Sequence, residues 1–154
     1  GKNTSFSLDE HFSSFIEEEV ASGGYRSASD VVRRVLRLLE DRETRLRALR
    51  RELIAGERSG ESTPFDFDQF IAGSELKNPA RGESYVLSPA ARADLESIWD
   101  YTCERWDIKQ AEEYVREIQL AIERIVANPM IGRASDDVRP GYRKHAVGSH
   151  TLYY

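Results

Sequence analysis

Asn3, Ser5 and Ser7 are short hydrogen-bonding side chains two residues apart, interleaved with Phe6 and Leu8. In extended backbone that period puts the polar groups on one face and the apolar groups on the other. Two copies of residues 3–8 paired as a ribbon would turn the polar face outward twice over. A two-stranded ribbon fits the major groove of DNA, where such side chains reach base edges. Lys2 and Arg26 add charge for phosphates. Ser27 and Ser29 stand where a helix begins, and its free backbone N–H groups suit a phosphate. Towards the other end, Arg139, Arg143 and Lys144 form a basic surface, with no acid anywhere in 138–154. With His145 and His150 these cations could stabilise charge or move a proton. The histidines read instead as surface side chains on paired strands. Cys103 lies in a helical stretch with no histidine beside it, which suits packing better than nucleophilic work. Asp136-Asp137 and Glu112-Glu113 read as solvated faces. No catalytic residue is assigned, and no enzyme activity is expected.

The elements that position these groups follow from periodicity. Asp9 is placed to N-cap a helix with Phe12, Phe15, Ile16 and Val20 on one stripe, stopped by Gly23-Gly24. A second helix starts at Ser27 or Ser29 and carries Val32, Val35, Leu36, Leu39, Leu46, Leu49 and Leu53 at helical spacing. A strand and two helices this short leave apolar stripes uncovered, so the unit is expected to dimerise. Four large apolar side chains, Phe65, Phe67, Phe70 and Ile71, then fall within seven residues. Each contributes about 1.5–3 kcal/mol when buried, so they read as anchors in a groove, in the same chain or in another copy. Later, Tyr85-Val86-Leu87 is a short apolar run. Ser88-Pro89 is a strong helix start, and Leu95, Ile98, Trp99 and Trp106 share a face there. A break at Trp106-Asp107 leads into a helix with Ala111, Tyr114, Val115, Ile118, Ile122 and Ile125 on one stripe, ended by Asn128-Pro129. The pattern predicts a helical hairpin, with the tryptophans and Tyr114 in core packing. Pro140-Gly141 suits a type II turn. Tyr142 to Val147 and His150 to Tyr154 read as strands joined by a II′ turn at Gly148-Ser149.

Composition sets the outer bounds. The chain has 154 residues, 32 % charged and 40 % hydrophobic, with net charge -5. No run approaches the roughly 18 apolar residues of a spanning helix, and no apolar leader opens the chain, so no membrane partner is expected. One cysteine and three histidines offer no metal-ligand spacing; no metal or cofactor is expected, and a reducing, cytoplasmic location is. Residues 1–76 carry 11 basic and 15 acidic side chains, and residues 77–154 carry 11 and 12. The acidic balance excludes a uniformly basic nucleic-acid binder and leaves room for a local one. Gly60, Pro64, Gly73, Pro79 and Gly82 mark a seam between two patterns.

Lys2-Asn3-Thr4-Ser5-Phe6, Ser27-Ala28-Ser29-Asp30-Val31-Val32-Arg33 and Leu36-Arg37-Leu38-Leu39-Glu40 resemble the ParD antitoxins, ribbon-helix-helix repressors of type II toxin–antitoxin systems. Pro64-Phe65-Asp66-Phe67-Asp68-Gln69-Phe70 is similar to that family's toxin-binding tail. The second half resembles the ParE toxins. The likeness rests on Tyr85-Val86-Leu87-Ser88-Pro89-Ala90-Ala91, Asp94-Leu95-Glu96, Ile98-Trp99-Asp100-Tyr101, Ala127-Asn128-Pro129, Arg139-Pro140-Gly141-Tyr142-Arg143-Lys144 and Gly148-Ser149-His150.

The double resemblance implies an α+β chain. A ribbon-helix-helix unit over 1–60 is followed by a toxin-binding tail over 61–76 and a linker over 77–83. A ParE/RelE-like helical hairpin on a small antiparallel sheet occupies 84–154. It implies operator DNA as a partner, with Asn3, Ser5 and Ser7 facing bases, and a homodimer or higher oligomer. It also implies a toxin–antitoxin interface through Leu49, Leu53, Phe65, Phe67, Phe70 and Ile71, formed in cis or in trans, and DNA gyrase as the toxin's target. The ParE family continues with a further strand and a basic tail, so 84–154 is expected to lack these and not to be toxic. Two alternatives remain: a RelE-type ribosome-dependent endoribonuclease with its antitoxin, and a plain dimeric repressor with an interaction domain.

Overall fold

The computed structural model describes residues 1–73 and 85–154, which fall into two compact units, Gly1–Arg47 and Ala48–Tyr154. The 77–83 linker and the last residues of the 61–76 tail lie outside the described residues. The division falls inside a helix, ahead of the 60/61 boundary expected from sequence; that helix's C-terminal turns hydrogen-bond to residues far along the chain, Arg50 to Val138 and Asp137 and Glu57 to Arg139.

The first unit opens with residues 1–9 outside any helix or strand, followed by α1, Glu10–Ala21. Asp9 caps α1 by accepting from the Phe12 amide at 3.0 Å. Ser22 closes it, and Gly23, at φ 81°, turns the chain out of the helix. Ser27 then caps α2, Ala28–Arg58, by accepting from the Asp30 amide. Val31 is the buried apolar residue of this unit. Phe6, Leu8, Phe12, Phe15, Val35, Leu36 and Leu39 all stay exposed, Phe6 at 60 %. The predicted 3–8 strand does not form, because a ladder needs a second strand and one copy of the chain supplies none.

The second unit contains the end of α2 and the remaining elements. These are β1 (Thr63–Pro64), α3 (Phe67–Ile71), β2 (Val86–Leu87), α4 (Pro89–Arg105), α5 (Ile108–Ala127), a 3₁₀ turn (Pro129–Ile131), β3 (Arg133–Ala134), β4 (Arg143–Val147) and β5 (His150–Tyr153). β1 pairs antiparallel with β2, and β3, β4 and β5 form an antiparallel sheet in that order. Ser88 and Asp107 cap α4 and α5 through the amides of Ala91 and Gln110. Gly141 sits at φ 85° where a type II turn requires it. At the β4–β5 hairpin Gly148 has φ 54°, Ser149 does not, and Val147 faces His150, which is the II′ pattern. Leu95 of α4 and Val115, Ile118 and Ala121 of α5 form the core with Val147, Phe65 and Phe67. Trp99 packs on that core as expected, but Trp106 does not: it is 68 % exposed at the C-cap of α4, where the backbone leaves the helical stripe. Among the described residues no helix is long and apolar enough to cross a membrane.

Candidate functional site

The second unit's core is completed by a short segment that precedes the ParE-like pattern. Phe65 and Phe67 are each 1 % exposed. Their rings meet edge to face at 4.9 Å, and Phe70 meets Phe65 at 5.4 Å and Trp99 of α4 at 5.7 Å. Phe70 and Ile71 are half-buried against the same cluster. Asp66 caps α3 through the Gln69 amide at 3.1 Å, so this aspartate between the aromatics shapes the turn that seats them. Arg92 of α4 clamps the segment from outside. Its guanidinium donates to the Pro64 carbonyl at 2.8 Å and to the Thr63 hydroxyl, and lies 5.6 Å from the centre of the Phe65 ring. Arg116 of α5 pairs with Asp68 at 2.7 Å. The four anchors therefore sit in one groove of the same chain, between the two helices of the hairpin and the β1–β2 ladder.

The end of α2 supplies a second contact surface. Leu49 and Leu53 are half-buried. Arg50 donates to the carbonyls of Val138 and Asp137 at 2.6 and 3.1 Å. Glu57 accepts two hydrogen bonds from Arg139, at 2.5 and 2.7 Å, and one from the Tyr142 hydroxyl at 3.0 Å. The Arg139 hydrogen bond, together with that of Tyr142, holds the Glu57 carboxyl below the usual glutamate range. Loss of water and the Glu57 charge raise the Tyr142 phenol. Sequence reading missed Arg50, Glu57, Arg92 and Arg116. One signal was available for two of them: Arg50, Leu53 and Glu57 continue the Leu49 stripe at helical spacing, so charges on an otherwise apolar face marked a polar partner.

A depressed Glu57 pKa favours the folded state above the unfolded-state pKa, and that contribution disappears as pH falls through the folded-state value. Glu57→Gln is therefore expected to flatten the acid limb of the stability–pH curve of the whole chain while leaving its shape near pH 7 to other groups. Urea midpoints measured at half-unit pH steps check this, and an unchanged acid limb would remove Glu57 from the contact.

The basic surface expected at Arg139, Arg143 and Lys144 is largely committed elsewhere. Arg139 is taken by Glu57. Arg143 turns inward, donating to the carbonyls of Gly132 at 2.6 and 3.0 Å and of Met130 at 3.3 Å, where it holds the 3₁₀ turn against β4. Lys144 is half-buried, opposite Arg133 and Tyr153 in the sheet. The two histidines do not face one another: His145 lies opposite Leu152, and His150 Nδ1 lies 2.6 Å from the Tyr114 hydroxyl. Asp136 accepts from the Gly141 amide at 2.8 Å and so holds a turn.

In the first unit, Lys2, Asn3, Ser5, Ser7, Arg26, Ser27 and Ser29 are all exposed. The polar trio, which lies outside any helix or strand, and the start of α2 are thus accessible. Asp30, in the first turn of α2, pairs with Arg33 at 2.7 Å, which lowers its carboxyl pKa.

Comparison with known proteins also divides the chain in two, between residues 80 and 85 and so well after the division between Arg47 and Ala48. Residues 1–80 match the family described as bacterial antitoxin of the ParD toxin–antitoxin type II system and RHH. Residues 85–154 match the ParE toxin of the type II toxin–antitoxin system. Antitoxin ParD1 of Mycobacterium tuberculosis is 67 % identical over 82 residues, 53 % of this chain and 98 % of that relative. Toxin ParE1 of the same species is 64 % identical over 70 residues, 46 % of this chain and 71 % of the relative. Toxin ParE1 of Caulobacter vibrioides is 46 % identical over 70 residues and is covered to 73 %.

Proposed function

Because this chain belongs to the ParD antitoxin family through residues 1–80 and to the ParE toxin family through residues 85–154, we propose that it works as a fused toxin–antitoxin pair in the cytoplasm. Its antitoxin half binds operator DNA as a dimer and represses. Its toxin half is a non-enzymatic inhibitor of DNA gyrase, held neutral by the antitoxin tail. The observation that carries this reading is the burial of Phe65 and Phe67, from the antitoxin part, inside the core of the toxin part. A tether keeps the two halves at an effective concentration of about a millimolar, so neutralisation is not lost on dilution. The exposed apolar stripes of the first unit support dimerisation, since leaving so many large side chains in water is costly.

The test is a gyrase supercoiling assay run beside ribosome-dependent messenger cleavage, using residues 84–154 freed from the rest of the chain and extended by a ParE-like C-terminal strand and basic tail. Inhibited supercoiling that is reversed by equimolar residues 1–73 is the expected result. Cleaved messenger would move the toxin half to the RelE-type endoribonucleases, and inactivity in both assays would leave a repressor with an interaction domain.

On the DNA side, Asn3→Ala with Ser5→Ala is expected to weaken operator binding by about 1–3 kcal/mol for each side chain that no longer reaches a base edge. Binding to scrambled duplex should change little, because phosphate contacts position the protein without reading sequence. Gel-shift titrations on the two duplexes check this, and equal weakening on both would take the reading role away from residues 3–7.

A further inference from the structure

Arg139 and Tyr142 stand on a turn that is braced from within the toxin half. The Ser135 amide donates to the Tyr142 carbonyl at 2.8 Å, and the Arg139 amide donates to the Ser135 carbonyl at 3.1 Å. Asp136 Oδ1 accepts from the Gly141 amide, and Gly141 closes the turn at φ 85°. Each of these bonds is made among residues 135–142, so the two donors are set in place by the turn itself. Onto them comes a single carboxylate. Arg139 Nε donates to Glu57 Oε1 and an Arg139 terminal nitrogen donates to Oε2, while the Tyr142 hydroxyl donates to Oε1. A guanidinium fork matched to both oxygens, with a third donor on one of them, is recognition geometry that asks nothing of its ligand beyond the carboxylate group. The ligand side chain and Arg139 remain about one-third exposed, 35 % and 33 %, so the pair opens to solvent once Glu57 leaves.

We infer that Arg139 and Tyr142 form a carboxylate-binding site of the toxin half, which Glu57 fills in this chain and which takes an Asp or Glu side chain of a protein partner when Glu57 is withdrawn. The inference rests on reading the two halves as toxin and antitoxin. A carboxylate is favoured over a phosphate because Asp136 and Asp137 lie on the same turn, and their charge opposes a phosphate dianion or a polyanionic backbone more than a single monoanion. The antitoxin thereby imitates the toxin's ligand, and the Glu57 carboxylate is a competitor as well as a strut.

The experiment uses the full chain carrying Glu57→Ala and, in parallel, Glu57→Ser. The Arg139 Nε–H signal is followed by nuclear magnetic resonance during titration with sodium acetate, with sodium phosphate and with sodium chloride at matched ionic strength. Acetate is expected to give a saturable shift in both variants and none in the parent chain, whose site is occupied. Adding Tyr142→Phe should weaken acetate binding by about tenfold or more, the value of one hydrogen bond to a charged group. Adding Arg139→Gln should abolish it, read on neighbouring amides. The inference is overturned if acetate produces only the linear drift of chloride. It is also overturned if phosphate saturates the site at lower concentration than acetate. The titration reads the site whether or not gyrase is the target, so its failure and the failure of the supercoiling assay are separate results.

Discussion

Replacing Phe67 with alanine is expected to destabilise the Ala48–Tyr154 unit by about 3–5 kcal/mol, the usual cost of emptying a large core site. Phe67 is 1 % exposed and packs with Phe65, Leu95, Val115 and Ile118 in one cluster. The antitoxin tail and the hairpin helices should therefore unfold in one transition. A stability of about 5–15 kcal/mol is typical of a domain, so the loss is a large part of the total. Chemical denaturation followed at Trp99 reads the effect directly, because Phe70 lies 5.7 Å from that ring. Phe67→Leu should cost distinctly less, and Glu112→Gln, on the surface, should stay within about 0.5 kcal/mol. A Phe67→Ala loss below about 1 kcal/mol would mean that the tail lies on the toxin half without being part of its core.

Replacing Phe6 with aspartate is expected to abolish both the dimer and operator binding. The proposed ribbon buries Phe6 and Leu8 between two copies, and an unpaired charge in that position costs several kcal/mol. A cost of about 4 kcal/mol raises the dimer dissociation constant by about three orders of magnitude. Light scattering should give the mass of one chain at concentrations where the parent gives two, and the gel-shift band should vanish with it. The Ala48–Tyr154 unit should keep its melting behaviour, since its core draws no residue from 1–47. A stable Phe6→Asp dimer would place the self-association elsewhere.

Local chemistry made much of this fold legible. Ser88-Pro89, Asn128-Pro129, Pro140-Gly141 and Gly148-Ser149 each mark an element boundary through a backbone preference that acts within a few residues. The anchors Phe65 and Phe67 were legible for a different reason: large apolar side chains alternating with aspartates in a loop-like stretch need a groove. Contacts that join distant positions were hidden. Pairing of β1 with β2 involves two residues on each side and has no periodic signature. Glu57 meets Arg139 across 82 positions, and nothing local to either residue announces the other. Arg143 turns inward because the carbonyls of Gly132 and Met130 need a donor there, a demand set by the 3₁₀ turn and not by its neighbours in sequence. Trp106 missed the core because the helix stops one residue before it. The exposed stripes of α1 and α2 were legible as apolar faces, and in the proposed dimer a second chain covers them.

One chain that carries both a sequence-reading dimer and the toxin its own tail holds is the proposed arrangement. It is tested most directly by titrating the full chain onto DNA from upstream of its own coding region, beside a scrambled duplex at the same salt. The predicted result is a complex of two chains per site with both halves present, bound at least about a thousandfold more tightly than the scrambled duplex. Equal affinity for the two duplexes would contradict it.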